Sequence, residues 1–171
     1  MAGAPEGALD RAVDGLCRAA AALGGLAIFA IALTVFVSVF GRSFRLLSIP
    51  GDFEVVEIGS AAAVFLFFPI CQLERAHITI ELFTDWLPVS ARRGLEAAGE
   101  LLFALAWAVL VWRLTVGGIE AHGYGDRSMI LGVPTWIVYL PAVAALAIAG
   151  LVALQSARRL LAAAGRGARP S

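Results

Sequence analysis

Charge is scarce in this chain, and lysine is absent altogether. Acidic and basic residues together make up 15% of its 171 positions, against about a quarter in soluble globular domains. Hydrophobic residues make up 60%, and the mean hydropathy is +0.87. That balance excludes a soluble domain and identifies an integral membrane protein. Histidine and cysteine are also rare, two of each, so no His-x-x-x-His or comparable metal-ligand spacing exists. No nucleophile stands beside a base, and no glycine-rich loop is placed to cradle phosphate. The chain is therefore not read as an enzyme, and neither cofactor nor metal is expected. The zero net charge points to no partner, and nucleic acid is not expected to be one. No internal repeat is visible, which weighs against an inverted-repeat transporter complete in itself.

What the chain does have is long apolar runs. Uncharged or nearly uncharged stretches occupy 19–41, 58–73, 101–112 and 128–157. A helix needs roughly 20 residues to cross a ~30 Å hydrocarbon layer, so the two shorter runs must extend into flanking residues whose charges reach the interface. The pattern predicts four transmembrane helices at approximately 17–41, 53–74, 90–116 and 134–157. They form a single membrane domain over 1–171 with no separate soluble part. The first run exceeds the 7 to 15 residues or so of a signal-peptide core, so it is read as a retained span preceded by a mobile start over the first eighteen residues. After the second run, the alternating piece Ile78-Thr79-Ile80-Glu81-Leu82-Phe83-Thr84-Asp85-Trp86-Leu87 suits a segment lying in the membrane plane with Trp86 at headgroup level. The expected fold class is all-α integral membrane, four spans with an in-plane amphipathic segment at approximately 77–88.

The arginines orient this bundle. With four spans, both termini and the middle loop share one side, which holds Arg11, Arg18, Arg75, Arg92, Arg93, Arg158, Arg159, Arg166 and Arg169. The other side holds Arg42, Arg45, Arg113 and Arg127. Nine against four places both termini in the cytoplasm by the positive-inside rule. Cys17 and Cys71 then fall near the cytoplasmic ends of helices one and two, in a compartment that keeps thiols reduced, and are read as free packing groups. His77 and His122 fall on opposite faces, which excludes a haem shared between them. Thr34, Ser38 and Ser60 are read as hydroxyls bonded to their own helix backbone. Gly24-Gly25 and the alanine-rich fourth helix suit close helix packing, and Gly117-Gly118 is read as part of an outer turn.

Four short motifs, taken in order, carry a resemblance. Gly41-Arg42-Ser43-Phe44 follows helix one, and Pro50-Gly51-Asp52-Phe53-Glu54-Val55-Val56-Glu57 enters helix two. Gln72-Leu73-Glu74-Arg75-Ala76-His77-Ile78-Thr79-Ile80-Glu81 leaves it, and Ser128-Met129-Ile130-Leu131-Gly132-Val133-Pro134-Thr135-Trp136 enters helix four. In this order the chain resembles the small membrane (Q-type) subunit of tripartite ATP-independent periplasmic (TRAP) transporters. The resemblance implies two protein partners, a large membrane subunit carrying the substrate and ion sites and a periplasmic substrate-binding protein, both working at the lipid bilayer of a bacterial inner membrane. It also implies a scaffolding role during ion-coupled uptake of organic acids. Two departures stand out: Asp52-Phe53 where a tryptophan often precedes the acidic residue, and Glu81 where Asp is commoner.

The alternatives are an orphan membrane anchoring or assembly protein, or a subunit of a membrane redox complex. The candidate interfacial or subunit-contact residues are Arg42, Glu54, Glu57, Gln72, Arg75, His77, Trp86, Arg92, Glu96 and Glu100. Arg42 faces Glu54 and Glu57 across a short loop, either paired with one of them or the large subunit, or solvated. Arg92, Glu96 and Glu100 recur every four residues on one helix face, either a solvated stripe or a polar seam against the large subunit.

Overall fold

The computed structural model describes residues 8–44, 50–74 and 89–167. Among these, four helices dominate: α1 (Ala8–Ser43), α2 (Asp52–Leu73), α3 (Val89–Tyr124) and α4 (Tyr139–Gly167), the last preceded by a 3₁₀ turn at Thr135–Val138. All four are long and apolar enough to cross a membrane, so the protein is an all-α, multi-pass membrane protein. The in-plane segment expected at 77–88, with Arg75, His77 and Trp86 in or beside it, lies outside the described residues.

Helix α1 starts at Ala8, so the stretch expected to be a mobile lead is helical from there on. The cause is an apolar stripe: Val13, Cys17 and Ala20, spaced by four and three residues, share one helix face. Val13 and Cys17 pack on Val152 of α4 together with Ile70 and Leu73 of α2. Arg159 Nη2 and Asp10 Oδ1 close the same corner at 2.5 Å, so the beginning of α1 and the end of α4 lie together. Both cysteines are free, Cys17 buried and Cys71 exposed.

Helix α4 is the axis of the bundle. Ala142, Ala145, Leu146, Ala149, Val152, Ala153 and Ala157 are buried along it, and these mostly small side chains let both α2 and α3 approach closely. Since lipid is as apolar as leucine, contact and packing rather than water release hold such helices together. Trp107 of α3 sits over Leu146, Ala149 and Ala153, and Phe68 of α2 leans on its ring at 5.2 Å. Thus α2 and α3 meet through side chains across one face of α4, and α1 packs along the far side of α2.

Glycines set two further approaches. A Cβ on Gly24 would stand 3.2 Å from the Ala63 carbonyl oxygen and 3.2 Å from Leu66 Cβ, whereas one on Gly25 would meet nothing within 4 Å. Only the first of the pair seats α1 on α2. Gly117 and Gly118 are not in a turn: they lie inside α3, where an added Cβ would approach Tyr139 to 3.2 and 3.1 Å. Helix α3 therefore continues to Tyr124, where Gly125 takes φ 68° and the bonds Asp126 N to Ala121 O (3.3 Å) and Gly125 N to His122 O (3.2 Å) close a Schellman stop. His122, expected in a loop, is on the last turn and meets Trp136 edge to face at 5.3 Å. At 36 residues, α3 is about 54 Å long and outruns the hydrocarbon layer.

Candidate functional site

Besides the Asp10–Arg159 corner, three polar clusters involve α2, two near its Asp52 end and one near its Leu73 end. The first joins α1 to α2. Ser38, Arg42 and Asp52 meet because Ser38 and Arg42 lie one turn apart on α1, while Gly51, at φ 84°, turns the chain so that α2 begins beside them. Ser38 Oγ donates to Asp52 Oδ2 at 2.6 Å, and Arg42 Nη2 donates to Ser38 Oγ at 3.1 Å and to the same carboxylate oxygen. The partner of Arg42 is thus Asp52, not Glu54 or Glu57. Ser38 also departs from expectation: it is fully buried and reaches across to α2 instead of back-bonding. Thr34 Oγ1 does bond Ala30 O (2.8 Å) and Ser60 Oγ bonds Glu57 O (3.2 Å), as hydroxyls in apolar helices do when no other acceptor is near.

The second cluster joins α2 to the loop before α4. The Glu54 carboxylate accepts the backbone N–H groups of Ile130 and Leu131, both at 2.8 Å. The loop is braced internally as well. Ser128 N bonds Val133 O at 2.9 Å and Thr135 N bonds Asp126 O at 3.0 Å, Val133 N bonds Ser128 Oγ at 3.0 Å, and Arg127 Nη1 bonds Gly132 O at 3.2 Å. The Glu54 carboxylate is therefore satisfied by main-chain donors, the charge-assisted bonds that carboxylates favour. Met129 and Ile130 point outward from this braced loop.

The third cluster is the most buried. Gln72 is 1% exposed; its Nε2 donates to Glu100 Oε2 at 2.9 Å and its Oε1 accepts Trp107 Nε1–H at 3.1 Å. One amide thereby serves both a carboxylate and an indole of α3, the two kinds of bond its nitrogen and oxygen can make. Glu100 is turned towards α2 inside this chain, and Glu96, one turn earlier, is half-buried. Arg92 belongs to α3, with its side chain outside the described residues.

Glu57 behaves differently from its neighbours. It is exposed and stands at the rim of an apolar recess of about 290 Å³, at the Asp52 end of the groove between α2 and α3. Ile58, Ala61, Phe65, Leu114, Val138 and Ala142 line that recess together with Thr135 and Tyr139. At the other end Phe68, Trp107 and Gln72 fill the same groove.

Sequence reasoning missed Asp52, Ser38 and Trp107 as members of these clusters. The signals were present: Ser38 lies one turn before Arg42, Asp52 opens the next helix after a glycine, and an indole N–H in the middle of an apolar helix demands an acceptor. No group of His, Cys, Asp and Glu suited to a metal occurs among the described residues.

Residues 31–163, well over half of the chain, match the family model described as tripartite ATP-independent periplasmic transporters, DctQ component. No curated protein and no solved structure matches the chain.

Proposed function

The chain belongs to the DctQ component family of tripartite ATP-independent periplasmic transporters, and on that premise we propose that it is the fixed scaffold for the large membrane subunit. As a DctQ component it is a small permease part of such a transporter, from a transporter family and not an enzyme family. In the proposed role it holds the large subunit's stationary part in the bilayer of a bacterial inner membrane while the carrier part moves. The substrates are organic acids delivered by a periplasmic binding protein and taken up with a coupling ion.

The observation that carries the reading is how the polar groups are used. An anion carrier needs groups near mid-membrane that offset desolvation of its cargo. Here Asp52, Glu54 and Gln72 are committed to links between helices and loop. The core between them is packed from alanine, leucine, phenylalanine and tryptophan. Meanwhile α1 turns Leu26, Phe29 and Phe36 outward and α3 turns Leu102, Leu105 and Trp112 outward, surfaces suited to lipid and to a partner.

Reconstituted alone, the chain gives no organic-acid uptake above empty liposomes. Combined with the large subunit and binding protein it supports uptake that its deletion abolishes. Substrate-dependent uptake by the isolated chain refutes the scaffold role. The orientation follows from the nine-to-four arginine excess and puts both termini in the cytoplasm. A reporter fused after Ser171 and one between Glu74 and Arg93 are then cytoplasmic, and periplasmic activity from either refutes the orientation.

A further inference from the structure

We infer that the Glu57 surface of α2 is the seat of a helix from the large membrane subunit, one that places an apolar side chain in the recess beside Glu57 and an arginine or lysine against its carboxylate. The inference rests on the scaffold reading and names the surface through which that role is exercised.

Depth comes first. Helix α2 has 22 residues, about 33 Å at 1.5 Å per residue, so it only just crosses a ~30 Å hydrocarbon layer. Glu57 lies five residues inside it, about 7 Å below the helix start. Ionisable side chains within spans turn to protein or to a water-filled cavity, because a charge facing lipid is strongly disfavoured.

Among the described residues, nothing pairs with the Glu57 side chain. The two acidic residues just before it are both used, Asp52 by Ser38 and Arg42 and Glu54 by the loop N–H groups. Among the described residues the Glu57 side chain makes no hydrogen bond or ion pair, and the nearby guanidinium groups of Arg42 and Arg127 are committed elsewhere. No described side chain bonds to the Glu57 carboxylate, and its complement is assigned to the partner helix.

Shape points the same way. Side chains of α2 and α3 fill the groove between these helices only at the Leu73 end, where Phe68 meets Trp107. At the Asp52 end the floor is Ala142 and the walls are Ile58, Phe65 and Leu114, with about 290 Å³ left open. A lipid tail could enter this space but would leave the carboxylate unpaired, since headgroup ammonium groups lie at the interface above it. A partner helix satisfies both parts at once, an apolar knob into the recess and a basic side chain one turn away.

The test uses the chain co-expressed with its large subunit. Glu57→Arg should lower recovery of the complex by at least about tenfold, because truncating or reversing one member of a desolvated charge pair costs that much affinity or more. Glu57→Gln should fall in between, and Ala61→Leu, which fills the recess, should also weaken recovery. The melting temperature of each variant chain by itself should stay at the wild-type value, separating loss of contact from loss of fold. In an independent arm on the otherwise unchanged chain, a photo-crosslinking amino acid at Val138 should capture the large subunit. Wild-type recovery of Glu57→Arg, or capture of lipid or of a second copy of this chain alone, overturns the inference and leaves the scaffold reading standing, because the wild-type chain still copurifies. Failure of the wild-type chain to copurify removes the scaffold reading and this inference with it.

Discussion

Removing the Gln72 amide tests the reasoning most sharply, because that one side chain answers to two partners on α3. Gln72→Leu keeps the bulk in place and takes away the acceptor of Trp107 Nε1–H (3.1 Å) and the donor to Glu100 Oε2 (2.9 Å). With Gln72 1% exposed and Trp107 8% exposed, neither lipid nor water can substitute. A buried donor left without a partner costs about 1–3 kcal/mol, and hydrogen bonds between transmembrane helices are worth about 0.6 kcal/mol on average and about 1.7 at most. The expected loss for Gln72→Leu is therefore about 1–3 kcal/mol, or roughly 2 to 12 °C in melting temperature at 2–4 °C per kcal/mol for a chain of this size. The decisive quantity is the coupling. Trp107→Phe removes the indole N–H, so in the Gln72→Leu background it should cost about 0.6–1.7 kcal/mol less than in the wild type. Thermal unfolding of the four proteins of this cycle in one detergent measures that difference. Costs that add to within about 0.3 kcal/mol would show that the amide and the indole are neighbours without being bonded, and would refute the account of this end of the bundle.

Two adjacent glycines should respond with opposite signs. Gly25→Ala, with nothing within 4 Å of the new Cβ, should raise stability by about 0.5–1 kcal/mol through the helix preference for alanine. Gly24→Ala must push on the Ala63 carbonyl at 3.2 Å and should lower it by about 1–3 kcal/mol; equal shifts in melting temperature would dismiss the close seat of α1 on α2. At the α1–α2 corner, Arg42→Asp should lower the melting temperature of the chain. Adding Asp52→Arg should recover part of that loss and adding Glu57→Arg should not, because Asp52 is the carboxylate that Arg42 meets. Recovery with Glu57→Arg alone would reassign the pair.

Composition was sufficient for the four spans, because hydrocarbon selects long uncharged helices whatever their neighbours are. The run at 19–41 and the alanine-rich run at 128–157 could become nothing else. The helix ends were harder to read, since a glycine pair has the same spelling in a turn and in a close helix contact. Gly117-Gly118 belongs to α3 only because Tyr139 presses on it, and α1 starts early only because Val13 and Cys17 find Val152. The polar residues of the candidate site were visible as types and misassigned as pairs. Charge alone made Glu54 and Glu57 the obvious partners for Arg42, but the left-handed Gly51 delivers Asp52 to it and leaves Glu54 to gather loop N–H groups 76 and 77 residues away. Sequence by itself thus decided that the chain lives in a membrane and how often it crosses, since transfer free energies sum along the chain. Only the tertiary structure decided which polar group meets which, because a hydrogen bond depends on tenths of an ångström between helices that the one-dimensional pattern does not bring together.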